Sequence, residues 1–129
     1  MNLLTKIFVT LAVTCGASWL LKQVAIVLTG GGDTESPVVG VLWGIGMLTF
    51  LLAAATGTAV LLARFPVWMR ILGAVAGAAI AWTALMLTDG VVDAVYEADG
   101  WFAQEIPLVL AALVTGALGV QVLSGARRP

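Results

Sequence analysis

The side chains in this sequence that could do chemistry gather in two places. Asp89, Asp93 and Glu97 recur every four residues, Asp99 follows, and the stretch from Thr88 to Glu105 holds five of the chain's seven acidic residues. On a helix, carboxylates at that spacing share a face and repel one another by about 0.2–0.5 kcal/mol per pair unless water or a cation screens them. Oxygen ligands in such a cluster could hold a divalent cation weakly, although the stretch lacks the alternating oxygen donors that open an EF-hand loop. The plainer account is a short amphipathic segment. Asp89, Asp93, Glu97 and Asp99 would then face water, with Val92, Val95 and Tyr96 on the opposite face and Trp101 and Phe102 beyond Gly100. In that account the segment is a docking surface or a weak cation site rather than a catalytic one.

The second place is the Lys22-Gln23 pair, which falls inside a long apolar run. An ionisable group in such a run is costly and marks a candidate functional site. Lys22 could extend its stem toward the membrane interface. Alternatively, it could pair with Glu105 near the start of the last apolar block.

Enzyme chemistry finds little to work with. The chain has no histidine and one cysteine, Cys15, so the usual nucleophile, base and zinc-ligand sets cannot be assembled from it. Gly30-Gly31-Gly32 does not read as a phosphate loop, since no strand precedes it and no Gly-Lys-Ser/Thr follows. No basic patch suggests nucleic acid as a partner. The sequence therefore predicts a protein that is not an enzyme, with no cofactor and no bound metal.

The elements that must position these residues are membrane helices. Of the 129 residues, 61% are hydrophobic and 10% charged, with mean hydropathy +1.09, far from the balance of a soluble domain. Apolar blocks run over about 3–29, 38–63, 71–88 and 106–123, each at or near the ~18–20 residues that cross a bilayer as a helix. A β-barrel would need short alternating segments. Leu51-Leu52-Ala53-Ala54-Ala55 and Ala74-Val75-Ala76-Gly77-Ala78-Ala79-Ile80 do not alternate. The expectation is an all-α, polytopic, single four-helix transmembrane domain over residues 1–129, with the acidic amphipathic segment in its second outer loop. Lys6 ahead of an apolar run resembles a secretory signal, and Cys15 invites a lipoprotein reading. The run continues past Trp19 to Leu28, which reads instead as a retained first helix.

Charge sets the expected orientation. With four spans, Lys6, Arg64, Arg70, Arg127 and Arg128 fall on one side and all the acidic residues on the other, so the basic side and both termini should be cytoplasmic. In TGGGDTESP (29–37) three glycines release the first helix and Ser36-Pro37 opens the second. In RFPVWMR (64–70) Pro66 interrupts the helix, and Phe65 and Trp68 suit the headgroup layer. Trp19, Trp43 and Trp101 are expected in an outer aromatic belt, and Trp82 between helices. The first two blocks, at about 40 Å, should be longer than the last two, at about 27 Å.

Small residues four apart supply the packing signal. Gly40 and Gly44, Gly73 and Gly77, and Ala112 and Gly116 each place small side chains on one helix face, where backbones can approach closely. These stripes would join the four helices to one another, or one would face another protomer or subunit. The intramembrane hydroxyls at Thr10, Thr14, Ser18, Thr49, Thr56, Thr58, Thr83 and Thr115 can bond back to their own helix carbonyls. The functional expectation is a structural or accessory subunit of a membrane assembly, in the bilayer of a prokaryotic cell or as a homo-oligomer or viral envelope component. The alternative is a small oligomeric channel or transporter, or a holin-like permeabiliser.

Overall fold

The computed structural model describes residues 2–28, 37–95 and 101–127, and side chains among these except at 93–95, 101–104, 126 and 127. Four α-helices account for nearly all of it: α1 (Leu3–Leu28), α2 (Pro37–Leu61), α3 (Val67–Val95) and α4 (Trp101–Arg127). Each contains a stretch long and apolar enough to span a membrane. In hydrocarbon the helix satisfies its own backbone, which is why such sequences have little alternative.

Local chemistry sets the helix ends. Asn2 caps α1, its Oδ1 accepting from the Thr5 amide at 2.8 Å, a side-chain partner for one of the orphan first-turn donors. Pro37 opens α2, where its missing N–H would have had no intrahelical partner. After α2 the chain tightens through the bonds Ala63 N–H to Val60 O at 3.2 Å and Phe65 N–H to Leu62 O at 3.0 Å, and α3 resumes just beyond Pro66.

The helices have 26, 25, 29 and 27 residues, so the expected contrast between a long first pair and a short second pair is not found. Apolar blocks mark what can lie in lipid, whereas the amide ladder runs on through polar residues. Thus α3 continues past Thr88 to include Asp89, Gly90 and Asp93, and α4 begins at Trp101, before Glu105. The acidic stretch is therefore largely the ends of two long helices, with 96–100 outside the described residues.

Register shows the arrangement of neighbours. Gly16 meets Ala112 and Gly116 while Gly119 meets Ala12 and Val13, and Gly46 meets Trp19 while Gly57 meets Phe8. Gly73 meets Leu62, and Gly77 meets Thr58 and Ala54. Consecutive helices are thus antiparallel, and α4 returns to close against α1. The ring order is α1–α2–α3–α4, with the α1–α2 seam the most extensive and α3–α4 the sparsest. Lys6, Arg64 and Arg70 lie toward one end, the basic end. Lys22, Asp89 and Glu105 lie toward the other, the acidic end.

The core sits beside α1. Cys15, Trp19, Met47, Leu85 and Ala112 are buried together, with Phe50, Leu51, Leu108 and Ala111 packed around them. Trp19 is fully enclosed, so it does not join the outer aromatic belt expected of it. Its ring meets Phe50 at 5.4 Å between centroids and 41° between planes, a tilted arrangement suited to the ring quadrupoles. Gly46 leaves the space that the indole occupies, since a Cβ there would collide with it. Trp82, expected between helices, lines a cavity between α2, α3 and α4 and is 42% exposed.

Candidate functional site

The polar centre is built from α1 and α4. Lys22 is one turn of helix beyond the core indole of Trp19, so both side chains project inward. Six residues separate Lys22 from the end of α1, which places it about 9 Å below that end. Glu105 comes from the early part of α4, two residues before Pro107. Proline at that point withholds an amide from the carbonyl four residues earlier, so the ladder is interrupted next to the charged group.

Lys22 Nζ lies 2.8 Å from Glu105 Oε1 and 2.6 Å from Oε2, and Gln23 Nε2 donates to Oε2 at 2.9 Å. The two charged side chains keep only 6% and 11% of their exposure. Lys22 therefore does not extend to the interface. A buried partner replaces the missing water, and a carboxylate that accepts several donors recovers more of its solvation than an ammonium reaching through lipid would. One helical turn toward the core, Trp19 Nε1 donates to the Trp43 carbonyl at 3.3 Å, tying α1 to α2 as the ion pair ties α1 to α4.

Beside the ion pair, a cavity of about 290 Å³ opens between α2, α3 and α4, bounded by Lys22, Glu105, Asp89, Trp43, Trp82 and Met86. Asp89, singled out as part of the acidic run, thus shares a cavity with Lys22 and Glu105. The Asp93 side chain, Glu97 and Asp99 lie outside the described residues. No group of three or more potential metal-ligating side chains occurs among the described residues. A larger opening, about 450 Å³, lies toward the basic end and is lined mainly by apolar side chains including Phe8, Phe50, Leu61 and Leu118.

The small-residue pairs divide sharply. Gly73 and Gly77 sit against Thr58 and Ala54 of α2 and Leu62 just beyond it, and Gly16 faces Ala112 O at 3.1 Å and Gly116 Cα at 3.2 Å, measured from where its Cβ would be. These positions join helices of one chain. At Gly40 and Gly44 a Cβ would meet nothing within 4 Å among the described residues. Gly16 and Gly119, neither of which stood out in the sequence, are the close-approach positions of the α1–α4 seam. The only available signal was their position four and three residues from other small residues, Ala12 and Gly116.

Threonine hydroxyls are spent locally. Thr10, Thr49, Thr56, Thr58, Thr83 and Thr88 each donate to the carbonyl four residues earlier, at 2.7–2.9 Å. Cys15 is a free thiol enclosed in the core. The class defined by these features is a multi-pass helical bundle with a buried ion pair. Compared with family models, curated proteins and solved structures, the chain matches none.

Proposed function

We propose that this chain is a non-enzymatic structural or accessory subunit of a membrane assembly, acting through helix packing. One observation carries the proposal. Gly40 and Gly44 repeat the spacing that Gly73 and Gly77 use for close internal packing, yet among the described residues a Cβ at either would meet no other helix within 4 Å. Val41 and Leu48 flank that face and are 59% and 61% exposed. In lipid, where apolar surface alone gives no drive to associate, such a smooth strip favours a second helix through close backbone contact. That helix would belong to a second copy or to a partner subunit. The basic end would face the cytoplasm together with both termini, because Lys6, Arg64 and Arg70 gather there.

The double substitution Gly40→Leu and Gly44→Leu should leave the helical signal and thermal midpoint of the chain unchanged while reducing its oligomer size or its co-purified subunits. Unchanged assembly would overturn the reading. A second reading, a small oligomeric channel or transporter, draws support from the cavity beside the ion pair. Flux through reconstituted liposomes distinguishes the two, since a packing subunit leaves them tight.

A further inference from the structure

We propose that the cavity between α2, α3 and α4 at the acidic end binds an organic ammonium group, with the Asp89 carboxylate as its counter-ion and Trp43 and Trp82 as its aromatic walls. The charges around the cavity motivate this. Lys22 places its ammonium on both oxygens of Glu105, and Gln23 donates to the same carboxylate, so that pair is internally neutral and two of the ammonium's three donors are taken. Asp89 lines the same cavity, and among the described residues nothing donates to it. The cavity therefore carries one net negative charge, set among indoles and the thioethers of Met47 and Met86.

Those walls select the ligand. An anion would find the ammonium of Lys22 already engaged. A hard divalent cation asks for six or more oxygens, and the cavity offers one uncommitted carboxylate. A neutral apolar guest would strip water from Asp89 without replacing its hydrogen bonds. An alkylammonium gains from the faces of tryptophan rings and pairs with a carboxylate. The volume of about 290 Å³ lies near the lower limit of ordinary ligand pockets, roughly 300 Å³, which fits a small headgroup rather than a large drug. Trp43 and Met86 are 44% and 41% exposed, so this wall of the cavity reaches the outer surface of the bundle. The ammonium could come from a free amine or from a lipid headgroup such as phosphatidylethanolamine. This inference does not rest on the packing role, which uses the face of Gly40 and Gly44.

The test is calorimetry on the full chain in dodecyl maltoside, titrated with benzyltrimethylammonium and, for comparison, benzylsulfonate. Saturable binding of the cation alone is expected, weakened about tenfold by Asp89→Asn, equivalent to about 1.4 kcal/mol, and retained by Asp89→Glu. Trp82→Leu, at a half-exposed position that should not threaten folding, is expected to weaken it severalfold. Competition by added phosphatidylethanolamine but not phosphatidylglycerol would support the site as one for a lipid headgroup. Insensitivity to both would support it as one for a free amine. No saturable heat with the unmodified chain, equal binding by Asp89→Asn, or equal binding of benzylsulfonate would overturn the proposal.

Discussion

Helices α1 and α3 are both long enough and apolar enough to span a bilayer, and α3 is if anything the more apolar, yet the bundle uses them differently. Over their most apolar stretches 39% of α1 is buried and only 6% of α3. Hydrophobicity does not sort them, because lipid receives apolar side chains as readily as another helix does. What sorts them is one face of α1. Val9, Ala12, Cys15, Gly16, Trp19, Lys22 and Ile26 recur at helical spacing and are all buried. That face carries the small residues that admit α4, the indole that needs an acceptor and the ammonium that needs a carboxylate. On α3, the glycines at 73 and 77 hold one side to α2, while Val75, Ile80 and Leu87 remain 66%, 69% and 66% exposed.

The comparison breaks most severely at the ion pair. Lys22→Ala would leave Glu105 buried without its cation and should cost about 3–5 kcal/mol, read as a lowered thermal transition in maltoside. The double variant Lys22→Met with Glu105→Leu should recover most of that loss, because apolar replacement of both partners removes the stranded charge. A double variant as unstable as the single one would mean that the pair is not what holds α1 to α4.

Next in size is the seam itself. Gly16→Leu must push apart the α1 and α4 backbones at Ala112 and Gly116, an overpacking cost of about 1–3 kcal/mol. Cross-linking yield between cysteines placed at exposed Val13 and Val120 would report the separation, and unchanged yield with unchanged stability would contradict the close approach.

A smaller effect is expected at the core indole. Trp19→Phe keeps an aromatic ring but removes the donor to the Trp43 carbonyl, a loss of about 1 kcal/mol. Smallest of all should be Ile80→Ala on the open side of α3, within about 0.5 kcal/mol of the parent. If Ile80→Ala lowered the thermal transition as much as Gly16→Leu, α3 would not be the peripheral helix that its exposure makes it.

Legibility in the sequence followed the same division. Helix existence was plain from apolar runs, since hydrocarbon leaves the backbone few other solutions. Helix length was not, because the ladder of α3 passes Asp89 and reaches Val95 without any apolar requirement. The Trp19 indole lies inside rather than in an outer belt, because ring chemistry alone does not say which face of an apolar helix turns inward. The glycine pairs were visible as a pattern, but Gly73-Gly77 and Gly40-Gly44 have the same spacing, and only their neighbours differ.

By itself the sequence determined the class of element, the number of helices able to span and the segregation of basic from acidic residues, all consequences of transfer between water and hydrocarbon. The tertiary structure alone decided that Lys22 meets Glu105 across 83 positions of chain, that Trp19 lies inside, and that one glycine pair is filled while its twin stays open. Contacts of that kind depend on which faces meet, and faces of uniformly apolar helices carry no periodic signal until a partner stands opposite them.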